Sequence, residues 1–212
     1  MTGVQTCALP IYWVCVGGTQ VDADTITVGL GESATCTITN DDDAPSLTLV
    51  KDVINDNGGT EPATAWTLTA TGPTGFSGPT GVTSGPSFDQ GTYDLSEIGP
   101  AGYTPSDWVC VGGTQVDADT ITVGLGESAT CTITNDDISP TLTVIKTVIN
   151  DNGGTVTDPN AFGLRIDGNL VSDSVANDVN AGAHVVSEDG LAGYTAGSWG
   201  GDCAADGSIT LA

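Results

Sequence analysis

Positive charge is nearly missing from this sequence: it carries 3 Lys and Arg residues against 27 Asp and Glu, a formal net charge of −24. A field of that sign repels phosphate backbones and anionic lipid surfaces, so neither nucleic acid nor membrane is an expected partner. Aromatic residues are also scarce, at 5%. No apolar run approaches the roughly 18 residues that a membrane-spanning helix needs. Histidine occurs once, as His184, and no Ser/His/Asp, C-x-x-C or phosphate-loop constellation recurs, so the enzyme classes built on them are not expected. Leu, Lys and Arg are few, which weakens any helical reading. What is present is Gly, Thr, Asp and Val, a strand-and-turn composition. With 38% hydrophobic residues in alternating runs, the chain is expected to fold rather than remain disordered.

Internal repetition is the strongest signal. Residues 13–42, WVCVGGTQVDADTITVGLGESATCTITNDD, recur letter for letter at residues 108–137, an offset of 95 (108 − 13). SLTLVKDVINDNGGT from Ser46 matches TLTVIKTVINDNGGT from Thr141 at the same offset. A period of that length is a whole domain, not a solenoid turn. The expected organisation is the C-terminal part of one repeat at 12–43, a complete repeat at 44–138, and a third at 139–212 that lacks the counterpart of residues 125–135, its last strand. Residues 1–11, MTGVQTCALPI, match nothing in the repeat. They resemble the translation of a sequencing-library adapter and are set aside, Cys7 with them.

Within the complete repeat, period-two alternation assigns half-buried strands. Leu47, Leu49 and Lys51 share one face; so do Trp66, Leu68 and Ala70, then Tyr93, Leu95 and Glu97, then Ile121 and Val123, and finally Cys131, Ile133 and Asn135. The run from Asn55 to Gly59 is a turn, because Asn, Asp and Gly tolerate positive φ. Residues 72–86, rich in Gly, Pro, Thr and Ser, read as a loop with little regular structure. About seven short strands in under a hundred residues predict an all-β chain of tandem sandwich domains.

Three polar residues then stand on apolar faces: Lys51, Glu97 and Asn135. Lys146 occupies the position of Lys51 one period on (146 − 51 = 95). Burying three such groups separately costs several kcal/mol, and burying them together relieves that cost if they pair or react. LTLVK (47–51), YDLSEIGPAGY (93–103) and TITN (132–135) resemble the SpaA-like and collagen-adhesin B-type (Cna-B-like) domains of bacterial pili and surface adhesins. That resemblance implies a prealbumin-like sandwich with a self-made isopeptide bond between Lys51 and Asn135, and Glu97 as the proton shuttle. Desolvation of Lys51 would supply the neutral amine. Glu188, in SEDGLAGY, is the equivalent of Glu97 beside Lys146, without an Asn partner; Asn40 is the equivalent of Asn135, without a Lys. Two plainer alternatives stay open: a buried Lys51–Glu97 ion pair with Asn135 merely hydrogen-bonded, or Lys51 as a guard on an exposed edge strand.

Cys110 and Cys131 lie 21 residues apart (131 − 110), as do Cys15 and Cys36 (36 − 15). One pair per repeat predicts disulfides and an oxidising, extracellular compartment. Cys203 aligns with the first member of such a pair. Donation of strand 34–40 to the third repeat of another chain would match Cys203 with Cys36 and Lys146 with Asn40. No cofactor is expected. Asp41, Asp42, Asp136 and Asp137 at the repeat junctions are weak calcium candidates, since oxygen-rich junctions can bind that ion but no EF-hand loop is present. The functional expectation is a spacer or stalk at the bacterial cell surface whose partners are its own neighbouring repeats. A glycan- or host-protein-binding adhesin module that uses loops such as 72–86 is the alternative.

Overall fold

The computed structural model describes residues 13–211; the eleven-residue start and Cys7 lie outside the described residues. The chain divides into two compact units, Met1–Asp43 and Ala44–Ala212. In the first, β1 (Val14–Val16) pairs antiparallel with β4 (Thr35–Thr37), and β2 (Thr19–Gln20) with β3 (Ile26–Thr27). None of its described residues is buried.

The second unit opens with the complete repeat, whose long strands follow the alternation. They are β5 (Ser46–Ile54), β6 (Thr67–Thr71), β7 (Phe76–Gly78), β8 (Val82–Thr83), β9 (Gly91–Ile98), β10 (Tyr103–Pro105), β11 (Val109–Val111), β12 (Thr114–Gln115), β13 (Thr120–Val123) and β14 (Ser128–Asp137). One sheet runs β10-β14-β5-β8, with β11 also on β14; the other runs β12-β13-β9-β6-β7. Strand β14 lies parallel to β5, with Ile133 opposite Lys51 and Asn135 opposite Val53; the other pairings in the repeat are antiparallel. Leu47, Leu49, Trp66, Leu68, Tyr93, Leu95, Ile121, Val123, Cys131 and Ile133 fill the space between the sheets. Each comes from an inward position of the period-two pattern. The segment 72–86 departs from expectation: it contains β7 and β8, which pair with β6 and β5. Val82 and Phe76 pack against the core from strands too short to reveal a period.

The same unit continues into the third repeat. Strands β15 (Thr141–Thr143) and β18 (Ala176–Asp178) pair, and β17 (Asn169–Leu170), β16 (Leu164–Ile166), β19 (Gly182–Glu188) and β20 (Ser208–Leu211) form a four-stranded sheet in that order. Leu142, Val144, Leu164, Ile166 and Val186 form its core, with Trp199 and Cys203 packed against them.

Candidate functional site

Strand β5 carries Lys51 between β14 and β8, in the interior of its sheet. Only 2% of the residue is exposed. That removes the edge-guard alternative: Lys51 is neither on an edge nor in water. Glu97 reaches in from β9 of the facing sheet, and Asn135 from β14, two positions along from the residue opposite Lys51. The Glu97 carboxyl joins the other two. Its Oε2 lies 2.8 Å from Lys51 Nζ, and its Oε1 accepts a 2.7 Å hydrogen bond from Asn135 Nδ2. The Trp66 ring floors the pocket, its centroid 5.1 Å from Nζ, and Tyr103 stands edge-on to Trp66 at 5.1 Å.

The electrostatics are those of a charge kept from water. Burial pushes the Lys51 ammonium below its ordinary value of 10.5, against the opposing pull of Glu97 and Asp52. Lys51 Nζ and Glu97 Oε2 are buried with only each other as partners, and Asn135 Oδ1 has no hydrogen-bond partner among the described residues. Buried polar atoms left in this state cost free energy. An amine, an amide carbonyl and a carboxyl touching both groups are the parts needed for acyl transfer from nitrogen to nitrogen.

The third repeat holds the amine and the carboxyl, without the amide. Lys146 Nζ is 2.6 Å from Glu188 Oε2 and sits 4.6 Å from the Phe162 ring centroid. Tyr194 stands edge-on to Phe162 at 5.3 Å, repeating the Trp66–Tyr103 arrangement. Asn40 is exposed in the first unit.

Disulfides join Cys15 to Cys36 and Cys110 to Cys131, each across directly opposed antiparallel positions. Cys203 is a free, half-buried thiol, raised by burial and by neighbouring Asp202. Of the junction carboxylates, Asp41 and Asp42 are exposed. Asp56, Asp136 and Asp137 bring oxygens within 4.8 Å of one another. The Asp137 carboxylate, however, accepts from the backbone N–H groups of Asp56 (3.0 Å), Asn57 (3.0 Å) and Gly59 (2.5 Å). Burial raises its pKa, but those hydrogen bonds from Gly59, Asn57 and Asp56 outweigh it and hold the carboxyl below its ordinary 3.8. This nest of amide donors stabilises the Asp137 carboxylate as an anion. A Cβ at Gly59 would meet Tyr103 Oη at 2.5 Å and Asp137 Oδ2 at 2.8 Å, so this turn needs glycine for the carboxylate to approach. Sequence reasoning missed this use of Asp137, because its partners lie about 80 residues away and no local pattern marks them. It also missed Trp66 and Tyr103 as the floor under Lys51; the Y of P-A-G-Y was the available signal.

All-β repeats, with one disulfide in each of the first two copies, define a class of β-rich repeat proteins. The chain belongs to the SpaA_2 prealbumin-like fold domain family, whose model matches three times, at residues 9–38, 42–133 and 137–212. No curated protein and no solved structure matches it.

Proposed function

We propose that the chain is a run of structural repeats from a secreted bacterial cell-surface protein, a spacer or stalk of adhesin or pilus-like type, with Lys51 and Asn135 joined by an intradomain isopeptide bond. The observation that carries this reading is the buried Lys51–Glu97–Asn135 cluster between the first and last strands of the repeat. Neutral Lys51 Nζ attacks Asn135 Cγ. Glu97 takes a proton from the amine and delivers one to Nδ2. The Cγ–Nδ2 bond breaks, ammonia leaves, and a new Nζ–Cγ amide remains. Atoms balance without a co-reactant, and the step occurs once per molecule, so it is maturation rather than turnover. It also removes the buried charge of the amine. Two disulfides fit an oxidising compartment outside the cytosol. The repeats at 12–43, 44–138 and 139–212 then serve one another as neighbours. Among the described residues no helix is long and apolar enough to cross a membrane.

Intact mass of the purified chain, followed by peptide mapping, tests this. The expected result is a deficit of one ammonia that maps to a branched peptide containing Lys51 and Asn135. Full mass with unmodified peptides at both positions refutes it.

A further inference from the structure

His184 lies outside the cluster described above and holds together a different part of the second unit. It is 9% exposed on β19. Its Nδ1 is 2.6 Å from Asp167 Oδ2 and its Nε2 is 2.6 Å from the Asn180 carbonyl oxygen. Both partners are acceptors only. A neutral imidazole has one N–H, so it satisfies one contact and turns a lone pair on the other; the imidazolium satisfies both. The Asn180 oxygen belongs to the peptide unit whose nitrogen is that of Ala181. That N–H donates to the Asn57 carbonyl oxygen at 2.7 Å. The unit is planar and moves as one piece. It is therefore held at its oxygen by His184 and at its nitrogen by the Asn55–Gly59 turn of the preceding repeat. The fit there is close: a Cβ at Gly58 would meet the Ala181 oxygen at 2.6 Å. The Asn57 side chain also donates to the Asp137 carbonyl oxygen (3.1 Å) and accepts from Ser139 Oγ (2.6 Å), fixing the turn to the linker.

We propose that His184 is a pH-operated latch on the contact between the complete repeat and the third repeat, closed while the ring is protonated and released when it loses a proton. The proposal is independent of the isopeptide bond. On deprotonation, the remaining N–H stays with the Asp167 carboxylate, the stronger acceptor. The Nε2 lone pair then faces the Asn180 oxygen, the peptide turns away, and the Ala181–Asn57 hydrogen bond goes with it.

The charged groups on the surrounding elements agree with this. Asp167, in the β16–β17 turn, touches the ring and also accepts from Val185 N at 2.9 Å. Arg165 of β16 is turned to Asp189 and to the Gly168 carbonyl. Asp206, before β20, is bonded to Ser208, and β20 places Ile209 opposite His184. Asp178 of β18 is exposed. The docked turn carries Asp56, and its backbone N–H groups donate to Asp137 at the end of β14. The hydrogen bond to Asp167 and then the Asn180 carbonyl raise His184 above its ordinary 6.5. A raised folded value means that the latch contributes fully below the unfolded value and is lost as pH rises through the folded one.

NMR of the full chain tests the proposal. As the sole histidine, His184 is read directly from its ring shifts, and Ala181 amide protection is read at about pH 5.5 and about pH 8.5, corrected for intrinsic exchange. The expected midpoint lies above 6.5. Ala181 protection is expected to be lost progressively as pH rises through it. His184→Gln is expected to give weak, pH-independent protection. Asp167→Asn, at a position of φ 49 that Asn tolerates, is expected to lower both the midpoint and the pH at which protection is lost, and reads the latch even if His184→Gln does not fold. Protection that stays constant through the wild-type titration, or that falls equally in His184→Gln, overturns the proposal.

Discussion

Replacing Glu97 by Gln keeps the size of the side chain and leaves its Oε1 able to accept from Asn135 Nδ2 (2.7 Å in the wild type), but removes the group that moves protons. If Glu97 mediates the reaction, the variant retains the ammonia that the wild type loses. The energetic consequence follows from loop length. A bond between residues 51 and 135 closes a loop of about 85 residues, worth about 4–5 kcal/mol in the chain-entropy model. For a repeat of about 90 residues that corresponds to a melting temperature lower by about 20–30 °C. Lys51→Met too prevents the bond, and leaves the Glu97 carboxylate without its partner as Glu97→Gln leaves the Lys51 ammonium without its own. Both variants are expected to melt well below the wild type. Differential scanning calorimetry paired with intact mass provides the assay. A Glu97→Gln protein that still lacks one ammonia, or a cross-linked wild type that melts with uncross-linked Lys51→Met, refutes the reasoning.

Three further outcomes are expected. Replacing both Cys110 and Cys131 by Ala removes a loop of 21 residues and is expected to cost about 3 kcal/mol, read from urea midpoints under non-reducing conditions. Leu49→Ala, at a position with 0% exposure, is expected to cost about 2–5 kcal/mol through lost burial and a residual cavity. For Asp137, whose folded carboxyl lies below its ordinary 3.8, the contribution is present above that value and lost as pH falls through the folded one; Asp137→Asn is expected to lower stability at neutral pH and flatten the acid limb of a urea-midpoint titration.

The inward faces were legible because period two is a local property: Leu47, Leu49 and Lys51, or Cys131, Ile133 and Asn135, declare their side of the sheet within five residues. That the two runs are adjacent and parallel is not local. It came only through the resemblance, which implied the Lys51–Asn135 pairing. Strands β7 and β8 escaped notice because two- and three-residue strands among Gly, Pro and Thr show no alternation, and their pairing with β6 and β5 is decided by packing. That the Asp137 carboxylate accepts from the backbone of the Asn55–Gly59 turn was not legible, because that turn lies about 80 residues upstream.

The parallel alignment of β5 and β14 also bears on tension. Ser46 sits beside Ser128 at one end of the pair, and Ile54 beside Asp136 at the other. The chain enters the repeat at the first end and leaves it at the second. A pull on the two ends therefore loads the pair lengthwise, in shear, against all its rungs together instead of peeling them singly. A covalent tie between Lys51 and Asn135 would carry that load straight from the entering strand to the leaving one. The roughly 80 residues between them, including both sheets' remaining strands and the disulfide, would lie outside the path of force.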